Sequence, residues 1–335
     1  MNLSVNMDLD SILSPVKKHL ALFDEKLKEN LTSNSALISQ VARHLVNRRG
    51  KRLRPAMVFL SYGLCADSKN QAHPNPAVMN VALAVEFIHT ATLLHDDVID
   101  QSKVRRGQVS VNHKWNNLVS VLMGDFLLAK SLRLLVETES PTLLSTISKA
   151  TVNLSIGEMS EVQESHNWDI DEDTYLNIIS DKTASLFTAS CEAGAVASGA
   201  DRTAQENLRE YGQNLGMAFQ ITDDLLDWVG ETEKTGKGLG TDLKEGKITL
   251  PLIHTLRESD PLTQKKLIRL LENDFNQKDF DQILSFMKGN GGVEYAQDRA
   301  STFGKKAEDC ISGFKDSRFK KSLQSLIGFV IHRDK

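Results

Sequence analysis

A chain of 335 residues has room for one large domain or two, and 40% hydrophobic with 25% charged residues is the balance of a globular protein that buries a sizeable core. The formal net charge of -4 excludes the broad basic footprint of a nucleic-acid binder, while leaving room for local basic clusters that take phosphate. Three cysteines, Cys65, Cys191 and Cys310, lie far apart with no CxxC pair, which argues against a disulfide framework and a zinc site and makes buried reduced thiols the expectation.

The N-terminal MNLSVNMDLDSI carries acids where a signal peptide would carry positive charge. No apolar run reaches the roughly 18 residues needed to cross a bilayer, because Asn80, Glu86 and His89 interrupt Val78–Leu94. A cytoplasmic location is expected. Apolar residues recur at three- and four-residue spacing almost throughout, and no sustained period-two alternation occurs, so the expected fold class is all-α with ten or more helices.

In chain order, an amphipathic helix is expected near Leu9–Glu29 and a second over Ser35–Val46. The basic turn RRGKRLRP opens a third, which runs to about Leu64. A polar loop over Ala66–Pro76 leads into a helix at Ala77–Asp100, followed by the loop QSKVRRGQ. Helices are then expected around Trp115–Glu137 and Pro141–Glu164, with SHNWDIDED as a break. Asp171–Asp173 read as the N-cap and first turn of a helix over Thr174–Ser198. Another spans about Ala204–Trp228, and Gly230–Lys247, rich in Gly and Lys, reads as a mobile loop. From Ile248 onward the pattern is helical again. No internal repeat, low-complexity tract or composition shift marks a linker, so one domain over residues 1–335 is expected.

Two of these helices end in the same acidic signature. FIHTATLLHDDVID places Asp96, Asp97 and Asp100 at i, i+1 and i+4, and QITDDLLDW repeats that spacing with Asp223, Asp224 and Asp227. On an α-helix the i and i+4 carboxylates stack one turn apart and repel each other by a few tenths of a kcal/mol. A repeated liability of this kind points to a cation. Oxygen-only ligands suit a hard divalent ion, and Mg2+ is usually held by one or two carboxylates plus substrate phosphates. A single acidic helix end is most often a solvated face; two copies, each following an apolar run, point instead to a cavity for a diphosphate head and a hydrocarbon tail.

The basic residues fit such a substrate. Lys51, Arg52 and Arg54 precede or open a helix beside Gly50, where backbone N–H groups also favour an anion. Arg105 and Arg106 follow the first acidic helix within one short loop, and Lys182, Lys237 and Lys247 come later. Any one of these lysines alone reads as a surface residue. As a set, two separate clusters suit two diphosphates, one bridged by metal and one gripped directly by arginine forks.

Taken together, GKRLRP, LLHDDVID followed by RRG, the Gly124–Asp125 pair, DKT at Asp181–Thr183, and QITDDLLD followed by GKGLGTDLKEGKITLPLI resemble the trans-isoprenyl (polyprenyl) diphosphate synthases. That family includes farnesyl, geranylgeranyl and longer-chain enzymes. The likeness runs in order from about Arg48 to Ile253.

It implies a helical bundle around a central cavity and condensation of isopentenyl diphosphate onto an allylic diphosphate. It implies Asp96 and Asp100 as metal ligands with Asp97 in support, and Asp223 as the main ligand of the second motif with Asp224 and Asp227 nearby, around three Mg2+ ions. Arg105, Lys182, Lys237 and Lys247 then neutralise the allylic diphosphate as it leaves, and Thr183 and Gln220 offer oxygens to the allylic cation. Lys51, Arg54, His89 and Arg106 are implied to bind the diphosphate of isopentenyl diphosphate. A lone helical His is usually a core residue, but His89 lies two turns before Asp96 on the same face. The family also implies a homodimer and, through its greasy product, transient association with membrane.

Departures are small: Arg49 and Asn117 stand where the family often has glycine. Among basic residues at the C-terminus, Arg333 and Lys335 are expected to be a solvated tail. Product length is read from the turn before Asp96, whose side chains point back toward the helix N-terminus. Short-chain relatives place an aromatic floor there; here stand Ala91 and Thr92, with Phe87, Ile88, Met123 or Phe126 as deeper floors. Each isoprene adds about 4–5 Å, close to the ~5.4 Å helix pitch, so a product of about thirty to forty carbons is expected, as in a quinone side chain. A short-chain synthase, a non-catalytic partner subunit and a terpene cyclase stand as alternatives. The last would not need GKRLRP and a second acidic motif.

Overall fold

The computed structural model describes residues 8–46, 50–67, 71, 75–105, 107–230, 240–271 and 276–332. They form an all-α protein, as the periodicity predicts, with more than ten helices among the described residues and one short β-ribbon. The chain divides into two compact units. One contains residues 1–151, 186–212 and 310–326, the other residues 152–185, 213–309 and 327–335.

In the first unit, α1 (Leu9–Ile12) and α2 (Lys17–Asn30) replace the single expected N-terminal helix. Pro15 lacks the N–H that a continuous helix needs, and a 3-10 turn over Ser14–Val16 carries the chain across the break. Then come α3 (Ala36–Val46), α4 (Leu53–Cys65) and α5 (Pro76–Ile99). Asn75 caps α5 by accepting from Ala77 N–H at 3.0 Å, and Pro76 at the first turn has no N–H to leave unsatisfied.

By length and hydropathy alone α5 would cross a membrane, a test that the polar interruptions at Asn80, Glu86 and His89 do not defeat. In the fold it is a core helix, with Val81, Leu83, Val85, Phe87 and Ile88 all buried. The loop after it is ordered as a ribbon, Val104–Arg105 pairing antiparallel with Gln108–Val109. After the single turn of α6 (Val111–Lys114), Asn116 caps α7 (Asn117–Val136) by accepting from Val119 N–H at 2.9 Å. Helix α7 lies along α5: Ser120 Oγ donates to Leu94 O at 2.9 Å, and Gly124 sits so close to the His95 ring that a Cβ would collide with it. That contact accounts for the glycine of the Gly124–Asp125 motif.

The sequence continues through α8 (Pro141–Gln163), α9 (Glu172–Ile179), α10 (Ser185–Ser198) and α11 (Arg202–Val229). Asp171 caps α9 as expected, accepting from Thr174 N–H at 2.7 Å. The single helix expected over Thr174–Ser198 is instead interrupted by a π-helical turn at Ser180–Ala184. Such turns insert an extra residue into an α-helix and are frequent at functional sites.

The remaining helices are α12 (Thr241–Lys244), α13 (Leu250–Glu258), α14 (Pro261–Leu271), α15 (Gln277–Gly289), α16 (Gly292–Ile311) and α17 (Arg318–Ile331). The core of the second unit includes Ile178, Ile221, Leu225, Trp228, Leu252, Ile283 and Met287. Trp228 stacks on Phe280 at 5.4 Å and donates its indole N–H to Thr249 Oγ1 at 3.0 Å, which fixes the last turn of α11.

Candidate active site

In the first unit the acidic triplet closes α5. Asp100 N–H donates to Asp96 O at 2.8 Å, so the turn is α-helical and the two carboxylates share a face. Both are half-buried. This end of a long helix is already the negative pole of its macrodipole, so paired carboxylates there stand in an unfavourable potential that a cation relieves. Asp97 is 1% exposed and forms an ion pair with Arg105, Oδ1 to Nε at 2.5 Å. Its backbone oxygen also accepts from Asn112 Nδ2 at 2.7 Å and Ser102 N–H at 2.9 Å. Asp97 thus fastens the ribbon that carries Arg105 to the end of α5.

The structure brings Arg54 and His89 together, Nη1 to Nε2 at 3.2 Å, with the Arg54 guanidinium 4.8 Å over the Phe187 ring. Arg54 can only donate, so this contact makes Nε2 the acceptor of the His89 ring. Lys51 is exposed at the start of α4. Arg52, grouped with these two by the sequence, turns inward instead. Its backbone is left-handed, with φ of 51°, and its guanidinium pairs with Glu86 at 2.5 Å and Asp24 at 3.3 Å. Arg52 therefore anchors the turn between Lys51 and Arg54. A cavity of about 60 Å³ lies beside Arg52, Glu86, His89, Asp97 and Arg105. Ala91 and Met123 are buried and Thr92 is half-buried, and none of the three lines this cavity.

In the second unit the other triplet lies in the last two turns of α11, and its members differ sharply. Asp223 is exposed. Asp224 is 4% exposed and accepts from Tyr175 Oη at 2.5 Å and from Gln220 Nε2 at 2.7 Å. Burial pushes its carboxyl up to about 7, with Asp223 and Glu161 acting in the same direction and the two hydrogen bonds opposing. Asp227 accepts from Thr241 N–H at 3.2 Å and Asp242 N–H at 3.1 Å, capping α12.

Thr183 Oγ1 donates to Gln220 Oε1 at 2.7 Å, joining the π turn to α11. Lys182 is held between Glu158 at 2.7 Å and Glu161 at 2.5 Å. Lys247 pairs with Glu245 at 2.7 Å and reaches Glu161 at 3.6 Å. Gly157 lets α8 approach the backbone of Lys182 so closely that a Cβ would overlap it.

Two predicted ligand-binding residues, Arg106 and Lys237, lie outside the described residues, as do Arg49, Arg333 and Lys335. Residues absent from the sequence-based site are Glu86, Tyr175, Glu158 and Glu161. The last two, three apart in GEMSE, carried a signal in their helical spacing; a lone buried Tyr175 carried none.

The six aspartates supply hard oxygen donors of the kind Mg2+ takes, and solvent reaches Asp96, Asp100 and Asp223. Among the described residues no group of three or more His, Cys, Asp or Glu converges into a closed metal cage.

The chain matches the family model described as polyprenyl synthetase over residues 35–287. It is 35% identical over 322 residues to an all-trans-nonaprenyl-diphosphate synthase (geranyl-diphosphate specific) of Rhodobacter capsulatus, covering 96% of this chain and 97% of that one. It is 32% identical to the octaprenyl diphosphate synthase of Escherichia coli (strain K12), covering 98% and 100%. A crystal structure of a polyprenyl synthase from Caulobacter crescentus CB15, complexed with calcium and isoprenyl diphosphate, superposes with a TM-score of 0.90 at 37% identity, covering 98% of each chain. With the acidic helix ends, the basic residues beside them and these similarities in place, the chain belongs to the polyprenyl synthetase family.

Proposed function

We propose that the protein condenses isopentenyl diphosphate head to tail (1'-4) onto an allylic diphosphate, making an all-trans polyprenyl diphosphate of about thirty to forty carbons for a quinone side chain. The observation that carries this reading is the repeated carboxylate signature at the ends of α5 and α11, each with cationic side chains in its own unit. The octaprenyl and nonaprenyl names of full-length relatives support the long product.

In this reading residues 1–335 act as one synthase domain. Asp96, Asp100 and Asp223 would hold three Mg2+ ions, with Asp97, Asp224 and Asp227 supporting from behind. The calcium named for the Caulobacter structure is an oxygen-seeking dication of the same chemical kind. When bound, Mg2+ supplies Lewis-acid stabilisation of a departing diphosphate.

The chain's own residues do the rest. Lys182, Lys247, Arg105 and Lys237 neutralise the negative charge that grows on the leaving group. Thr183 and Gln220 present oxygens to the allylic carbon as it becomes cationic. Lys51, Arg54, His89 and Arg106 hold the diphosphate of isopentenyl diphosphate so that its double bond meets that carbon. No side chain of the set is an obvious base, and the released diphosphate takes the final proton. Ala91 and Thr92, in place of an aromatic floor, leave the growing chain room beside α5, with Met123 among the deeper floors.

A homodimer fits the apolar stripe on α7, where Leu118, Val121, Leu122, Leu132 and Val136 are exposed on one side of the helix among the described residues. The site of action is cytoplasmic, with the product drawing the enzyme transiently to membrane. Mass spectrometry of products after incubation with farnesyl diphosphate, isopentenyl diphosphate and Mg2+ tests activity and chain length together. A purified protein that joins no five-carbon units sinks the proposal, and a product of fifteen or twenty carbons (about three or four isoprene units, each ~4–5 Å long) favours the short-chain alternative.

A further inference from the structure

We propose that Tyr175, buried on α9, is a positioning residue: acting through Asp224, its hydroxyl decides which end of the Gln220 amide faces Thr183. The inference deepens the reading of Thr183 and Gln220 as oxygens turned toward the allylic carbon.

A glutamine amide has nearly the same shape in its two flipped orientations, so only its hydrogen-bond partners choose between them. The partners here leave one solution. In its ionised form Asp224 accepts only, so the nitrogen of Gln220 then faces it, at 2.7 Å from Oδ1. The carbonyl oxygen of Gln220 then lies on the other side, where Thr183 Oγ1 donates to it at 2.7 Å. With its single hydrogen committed, the Thr183 hydroxyl has only lone pairs left to offer. A hydroxyl fixed in this way presents negative potential, which suits a developing carbocation; the flipped amide would force the hydroxyl to accept and aim its hydrogen outward instead.

The arrangement depends on Asp224 keeping Oδ1 for Gln220. Its Oδ2 is satisfied by Tyr175 at 2.5 Å, in a contact where both side chains are 4% exposed and water cannot substitute. Without the Tyr175 hydroxyl, Oδ2 loses this donor, and Asp224 can recruit the same Gln220 NH2 by rotating the carboxylate and drawing the amide out of line with Thr183. Tyr175 lies on α9 immediately before the π turn that carries Thr183, so one segment supplies both ends of the hydrogen-bonded chain.

The test compares Tyr175→Phe in the wild-type and Gln220→Ala backgrounds, by steady-state kinetics with an allylic diphosphate, isopentenyl diphosphate and Mg2+. In the wild-type background kcat is expected to fall at least about tenfold while KM for isopentenyl diphosphate stays within about twofold. In the Gln220→Ala background the same substitution is expected to change kcat by less than about twofold, because the residue it acts through is gone. An unchanged kcat in the first background, or an equal loss in both, overturns the proposal.

Selective 15N labelling of glutamine gives a second measurement that needs no turnover and detects an unfolded variant directly. The Gln220 side-chain amide signals, identified by their loss in Gln220→Ala, should move in Tyr175→Phe while other glutamine signals stay in place. Unmoved signals overturn the proposal. A wild-type chain without synthase activity would sink the function reading, while the amide signals still decide whether Tyr175 sets the orientation.

Discussion

Asp97 and Arg105 are joined by a 2.5 Å ion pair that closes the turn between α5 and the ribbon, with the carboxylate 1% and the guanidinium side chain 23% exposed. Asp97 is therefore expected to serve the fold and the aim of Arg105 more than the cation. Asp97→Ala should lower stability by roughly 2–3 kcal/mol, since it leaves a mostly buried guanidinium unpaired. The Mg2+ concentration for half-maximal activity should stay within about threefold, whereas Asp100→Ala should raise it more than about tenfold with little loss of stability. Chemical denaturation and Mg2+ titration of activity check both halves, and equal Mg2+ shifts in the two variants would refute the division of labour.

Gly157 allows α8 to meet the backbone of Lys182, and the two nearest atoms that a Cβ would strike, Lys182 N and Cα, are main-chain atoms that cannot swing aside. Gly157→Ala should push the π turn away from α8 at a cost of about 1–3 kcal/mol. Because Lys182 and Thr183 ride on that turn, kcat should fall about tenfold or more. Thermal melting and single-turnover kinetics measure the two effects, and a melting point lowered with kcat intact would mean that the displacement is absorbed elsewhere.

Ala91 is fully buried on the turn before Asp96. Replacing it by Phe should shorten the product by roughly two isoprene units or more, because each unit spans about one helical turn. Mass spectrometry of the products reads this directly. A product of unchanged length would mean that the growing chain runs along another face of α5.

Cys191 is fully buried beside Ser61, and burial pushes its thiol up to about 12 from an ordinary 9.0. The folded state therefore favours the neutral thiol. That contribution to stability is present below pH 9 and is lost as pH rises through about 12, since the unfolded chain releases its proton first. The melting temperature should fall over this range, and less steeply in Cys191→Ala. At mildly alkaline pH iodoacetamide should leave Cys191 unmodified in the native protein and label it after denaturation, as peptide mapping would show; native labelling would contradict the burial.

Much of the architecture was legible because it rests on local chemistry. Three- and four-residue apolar spacing gives helices, Asp171 caps α9 where its position predicts, and the i, i+1, i+4 aspartates stand at helix ends. The remainder depends on partners distant in sequence. The pairing of Tyr175 with Asp224 spans 49 residues, and that of Arg52 with Glu86 spans 34. Nothing near Arg52 distinguishes it from Lys51 or Arg54, so its inward turn could not be read from GKRLRP. The π turn was hidden for a different reason: the one-residue slip it makes in the apolar pattern of Thr174–Ser198 does not stand out from the ordinary scatter of apolar positions along one helix. The two triplets look alike as strings, yet burial and hydrogen bonding give their central members, Asp97 and Asp224, different work from Asp96 and Asp223.

Two lysines, 182 and 247, rest against three glutamates, 158, 161 and 245, rather than facing water. An anion entering there exchanges one set of ion pairs for another, so its affinity is a difference between two attractions. Added salt weakens both. Ligand capture by this cluster should accordingly vary less with ionic strength than capture by an equal number of bare cations, a tolerance useful in a concentrated electrolyte.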